Sequence, residues 1–149
     1  MSTIDYDALL KNELFDENSL IEALSAFFTC DIRVARRFDR TVHMELYSGE
    51  RLECEAYLVN RTTGATWDSS ITNEEYSYRQ CISIALDKEA ADMDAVANVM
   101  NFFLKLAKEK DAEMLVKSYV HDDICYIRDG KIMWNDSFYR EYKDLLASS

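Results

Sequence analysis

The chain has 149 residues, of which 48% are hydrophobic and 12% aromatic, enough to bury a core without disulfide or metal staples. Twenty-eight acidic against seventeen basic side chains leave a formal charge of −11, a field that repels phosphate backbones and argues against direct nucleic-acid binding without a strong basic patch. Aromatic residues along the whole chain exclude disorder, and three glycines with no proline exclude collagen-like, repeat and Pro-rich classes.

In chain order, Ile4, Ala8 and Leu9, with Phe15 beyond them, recur at helical spacing and predict an opening helix with an acidic first turn. A second helix follows, with Asn18 or Ser19 as N-cap and a stripe of Leu20, Ile21, Leu24, Phe27 and Phe28. It ends near Cys30-Asp31. The period then becomes two. Val42, Met44 and Leu46 oppose Thr41, His43, Glu45 and Tyr47, while Leu52, Cys54, Ala56 and Leu58 oppose Glu53, Glu55 and Tyr57. Ser48-Gly49-Glu50 joins the two as a hairpin.

Residues 60–75, rich in Thr, Ser, Asn and Gly, read as a long loop or short hairpin, and a strand runs from Tyr76 to Leu86. Asp92 to Lys110 is a long helix with Val96, Val99, Phe103 and Leu106 in one stripe and lysines at its C-terminal end. Met114–Val120 is a strand, and Asp123–Arg128, Asp129-Gly130 and Lys131–Trp134 form the clearest hairpin. Asp136 or Ser137 caps a closing helix. Strand runs broken by single helices predict one α+β domain, with a mainly antiparallel sheet packed on helices. Val42, Met44, Leu46, Leu52, Leu58, Ile82, Ile84, Val99 and Phe103 are its expected core.

Cys30, Cys54, Cys81 and Cys125 include no Cys-x-x-Cys pair, so neither a zinc ribbon nor a redox motif is expected. Cys54 and Cys81 read as buried hydrophobes. The first seven residues lack the basic and apolar parts of a signal peptide, and no apolar run reaches the length of a membrane span. The expected location is the cytoplasm, with no membrane association and no cofactor.

Chemistry-bearing motifs are few. His43 reads as a surface histidine. His121-Asp122-Asp123, near Cys125, offers a base beside carboxylates, against the simpler reading of a solvated acidic loop. No phosphate loop, nucleophile elbow or metal-binding motif occurs, so no catalytic or metal residue is assigned. Arg33, Arg36, Arg37 and Arg40 form one basic cluster, expected to pair internally or with acids of the first helices. The charge excess is concentrated in residues 1–30 and 62–94, each five acids in surplus. Outward residues of the first hairpin and the following segment mix carboxylates with aromatics: Glu53, Glu55, Tyr57, Trp67, Asp68, Glu74, Glu75, Tyr76 and Tyr78. Aromatic anchors beside steering acids suit a protein interface with a basic partner. Trp67 either serves as such an anchor or packs back on the core.

Residues 92–135 run from the helix containing Asn101-Phe102-Phe103-Leu104-Lys105-Leu106-Ala107, through a strand at Ala112–Val116, to the hairpin Ile124–Ile132. This segment, in a small acidic α+β chain, is similar to the C-terminal half of several immunity-protein families of bacterial polymorphic-toxin and contact-dependent inhibition systems. The resemblance implies a stoichiometric, non-catalytic inhibitor of a toxin domain, often a nuclease, held in the producer's cytosol. The competing readings are a small hydrolase or metal-dependent enzyme using the His121 loop, and an acidic nucleic-acid mimic or regulatory adaptor.

Overall fold

The computed structural model describes residues 2–147, with residue 62 described by its backbone alone. Its elements, in order, are β1 (Thr3–Leu10), α1 (Glu17–Phe28), β2 (Asp31–Phe38), β3 (Thr41–Ser48), β4 (Arg51–Asp68), β5 (Glu75–Asp87), α2 (Met93–Lys110), β6 (Met114–Ser118), β7 (Asp122–Arg128), β8 (Lys131–Trp134) and α3 (Asp136–Tyr142). The strands form one eight-stranded antiparallel sheet ordered β2-β3-β4-β5-β1-β6-β7-β8. The α+β class expected from the sequence is the one observed.

The opening segment is the main correction: residues 3–10 are a central strand, not a helix. Alternation puts Tyr6, Ala8 and Leu10 in the main core and Leu9 in a second, smaller one. Asp5 and Asp7 therefore share the outer face with Leu9. The helix that follows is capped by Asp16, two or three residues before the expected Asn18 or Ser19. Asp16 accepts the Ser19 N–H at 2.7 Å, and the Ser19 hydroxyl accepts the Asp16 N–H at 3.0 Å, a reciprocal capping box. Those bonds lower the Asp16 pKa.

β2 is a second correction, because the basic segment after Cys30 was read as no element at all. It is a charged edge strand with a bulge between Val34 and Arg36, and both features discourage pairing with another chain. Of the two readings of residues 60–75, the hairpin is the one observed: β4 continues to Asp68, β5 starts at Glu75, and the two pair from Ala65–Tyr78 to Asp68–Glu75. The closing helix is capped by Asn135.

All three helices cover one face. α2 alone contributes eight buried residues, among them Val99, Phe102, Phe103 and Leu106, at roughly 1.5–3 kcal/mol for each large side chain. Phe102 also meets Phe27 and Phe28 of α1 at 5.4 and 5.2 Å between ring centroids. Met44, Leu46, Leu58, Ile82, Ile84, Val99 and Phe103 are buried as expected, while Val42 and Leu52, each the second residue of its strand, are half-buried. All four cysteines are free thiols. Cys54 and Cys125 lie in the core, and Cys81 is half-buried on the opposite face.

Gln80 fixes the β1–α1 connection. Its fully buried amide accepts the N–H groups of Leu14 and Phe15 at 3.0 and 3.1 Å and donates to Phe15 O and Asn60 Oδ1, both at 2.7 Å. Replacing Gln80 with Leu strands these backbone groups, and orphaned buried polar groups cost about 1–3 kcal/mol each. Urea unfolding of Gln80→Leu is expected to show a loss of at least about 3 kcal/mol, whereas a solvent-compensated site would lose less than 1 kcal/mol, about the net worth of an ordinary hydrogen bond.

Candidate functional site

The face opposite the helices is organised by register. Successive cross-strand pairs align Arg36, His43, Tyr57, Ser83, Asp7, Lys117 and Asp123 in one row from β2 to β7. The adjacent row toward one end is apolar: Val59, Cys81, Leu9, Leu115 and Tyr126. The adjacent row toward the other end reads Arg33, Glu45, Glu55, Ala85 and Asp5. Each row meets a different fate.

The outer halves of β4 and β5 cover the apolar row as an arm. The register breaks between Asn60 and Ala65, and Gly64 there adopts φ +80°, a conformation that costs any residue with a Cβ. Beyond the break, Trp67 on β4 donates its indole N–H to Asp123 on β7 at 2.8 Å. Four strand spacings, roughly 19 Å of sheet, separate β4 from β7, so this bond requires the arm to lie across β5, β1 and β6. Tyr76 and Tyr78 close over Leu9 and Leu115, and the Tyr76 hydroxyl donates to Leu9 O at 3.1 Å. The fully buried Asp123 carboxylate also accepts the Ser70 N–H at 2.7 Å. Lys117 joins the tie, with Nζ 4.2 Å from the Trp67 ring centroid and 2.9 Å from Asp7 Oδ2. Burial pulls the Lys117 pKa down, but the Asp7 bond and charge outweigh it and hold the ammonium above its ordinary value.

The arm leaves the β2–β3–β4 side of this face uncovered. His43 stacks on Tyr57, centroids 4.5 Å apart and planes within 6°, and its Nε2 bonds Glu55 Oε1 at 3.0 Å. Glu45 sits directly opposite Glu55, a like-charge cross-strand pair that destabilises a sheet. The nearest register cation does not answer it: Arg33 lies over the Tyr47 ring at 3.9 Å and donates to Gly49 O. Ala85, the smallest side chain of the row, separates Glu55 from Asp5. Burial, then the charge of Asp7 and, least of all, that of Glu55 raise the Asp5 pKa, while the Thr3 bond and the Lys117 charge pull it down. Burial followed by Glu55, Asp5 and Glu45 likewise raises the Tyr57 phenol. Tyr57 is thus ringed by three carboxylates.

The predicted interface residues divide between these regions. Glu55 and Tyr57 belong to the uncovered patch, joined by Glu45 and Asp5, which alternation placed there only in part. Glu53 sits exposed at the β3–β4 register shift. Asp68, Glu74 and Glu75 are exposed on the arm. Tyr76 is buried, Tyr78 is half-buried, and Trp67 turns inward, so these three build the arm's seal and present no free anchor. The acid-rich segments also separate: Asp5 and Asp7 face outward, while Asp16, Glu17 and Glu22 lie with α1 on the helical side. Arg37 meets its expected acid in the first helices, bonding Glu17 at 2.7 and 2.8 Å.

Both histidine readings need correction. His43 is a half-buried member of the patch, not a plain surface group. His121 packs against Tyr6, Phe138 and Tyr142 at 6.2, 5.1 and 5.7 Å, and burial lowers its pKa. Asp123 is buried on the other side of the sheet, so the His121-Asp122-Asp123 loop is not simply solvated and its histidine and buried acid do not converge. Among the described residues no group of three His, Cys, Asp or Glu side chains is placed to hold a metal, and no helix is long and apolar enough to cross a membrane. Comparison with protein-family models, curated proteins and solved structures gives no match.

Two outcomes follow from this geometry. Asp123→Ala leaves the Trp67 and Ser70 donors unpaired at about 1–3 kcal/mol each. In a Trp134→Phe background, Trp67 emission is expected to shift to the red and the arm to become protease-sensitive, whereas unchanged emission would contradict the tie. Asp5 tests the carboxylate row. An acid with a raised folded pKa holds its proton more tightly in the fold, so its contribution to stability falls as pH rises from 3.8 through the raised value. Asp5→Asn should therefore be more stable than the native chain at neutral pH, with the gain vanishing below 3.8, as read by urea unfolding at each pH.

Proposed function

We propose that the protein is a non-catalytic inhibitor, an immunity protein acting in the cytoplasm of a bacterial cell that produces a basic toxin domain. The reading rests on one observation: Glu45 and Glu55 oppose each other beside Tyr57 on a sheet face that no helix covers. Such a pair costs the isolated fold stability, and a cationic partner surface would convert that cost into binding energy. The Tyr57–His43 stack supplies an aromatic platform on which a guanidinium can lie. Nuclease toxins carry cations to hold phosphates, so an acidic face also speeds their encounter with the inhibitor.

The test begins with the neighbouring genes: a candidate toxin domain found there is expressed in cells with and without this chain, and growth is measured. Native protein should restore growth, and Glu45→Lys with Glu55→Lys should abolish the rescue while the thermal melt stays cooperative. Binding should weaken about tenfold to a hundredfold and depend steeply on salt. Full rescue by the charge-reversed protein would contradict the proposed face, and no rescue by the native protein would remove the immunity reading itself.

A further inference from the structure

On the helical side, α2, the end of α1 and the β7–β8 hairpin do not close completely. They leave a recess of about 530 Å³, within the roughly 300–1,000 Å³ of small-ligand pockets. Leu104 and Ala107 of α2, Phe27 of α1, and Ile127 and Ile132 of the hairpin give it an aliphatic and aromatic lining. Its polar groups gather at the mouth. The Asn101 amide is already engaged, donating to Leu145 O at 3.0 Å and accepting the Ala147 N–H at 2.7 Å, which holds the tail along one edge.

Lys105 and Lys108 remain as the cations of the mouth, one turn apart on α2. Lys105 Nζ stands 5.9 Å from the Phe27 ring centroid, directly beside the apolar lining. Its only carboxylate contact among the described residues is an exposed one, Glu109 at 3.8 Å, of the kind that contributes little. Asp111, also at the rim, is the C-cap of α2 in the left-handed conformation. An alkyl chain fits the apolar lining and an anionic head fits the two ammonium groups, with Asn101 and Asp111 the other polar side chains of the recess.

We propose that this recess binds a single-chain amphiphile with an anionic head, of the fatty-acid class. The site lies across the sheet from Tyr57 and does not depend on the inhibitor reading. Calorimetric titration of the full chain with dodecanoate should give saturable one-to-one binding, with methyl shifts confined to Leu104, Ile127 and Ile132. Across shorter acids, each added methylene should tighten binding about fourfold. Lys105→Gln with Lys108→Gln should weaken dodecanoate at least about fivefold and leave dodecanol unchanged, each lost charge-assisted contact being a modest one. Leu104→Trp, which fills a half-exposed position without removing core, should abolish both. Phospholipid vesicles lacking free fatty acid should not retain the protein. No saturable dodecanoate binding, equal binding of dodecyltrimethylammonium, shifts elsewhere on the protein, or vesicle retention matching dodecanoate affinity would each overturn the proposal.

Discussion

The architecture depends on β1 sitting between two strand groups that share no direct strand pairing with each other. Residues 31–87 form a four-stranded meander and residues 114–134 a three-stranded one. β1 pairs with β5 along all eight of its residues and with β6 along five. Its inward side chains, Tyr6, Ala8 and Leu10, are fully buried, so the pairing cannot slip by one residue without exchanging them for Asp5 and Asp7. Asp7 then ties the two halves on the other face, accepting from Ser83 at 2.6 Å and Lys117 at 2.9 Å.

From that register come two unlike faces. The helical face is an ordinary apolar core, incomplete only at the recess beside Leu104. The outer face is polar at its centre, and its apolar row needs a cover that no helix provides. The arm is that cover, held by a buried carboxylate whose two donors come from the arm itself. Burying Asp123 is tolerable because both bonds are charge-assisted. The same constraint leaves Glu45, Glu55 and Asp5 outside the arm's reach, with their mutual repulsion met in part by the His43 bond to Glu55.

Where local periodicity and tertiary placement agree, the sequence was legible. The alternation in β3, β4 and β5, the α2 stripe and the Asp129-Gly130 hairpin all point to elements that form. β1 misled because Leu9 faces outward under the arm: with Ile4 and Ala8 it completes a helical spacing, and nothing nearby in the chain reveals the cover. β2 was hidden because an edge strand carries its charges where alternation would otherwise be read. Trp67 and Tyr76 resemble interface residues for the same reason as Leu9, since their partners Asp123 and Glu113 lie 56 and 37 residues away. Of the candidate patch, Glu55 and Tyr57 were visible from alternation, whereas Asp5 became a member only once β1 was a strand.

Under the proposed function, register rather than overall acidity makes the uncovered face receptive to a cationic surface. The most direct measurement is titration of an oligoarginine peptide into isotopically labelled protein, followed by nuclear magnetic resonance. Saturable, salt-sensitive shifts confined to Tyr57, His43, Glu45, Glu55 and Ala85 are expected. Shifts spread evenly over the acids of α1 and the β5–α2 turn would show that net charge alone attracts the peptide, and would contradict the role of register.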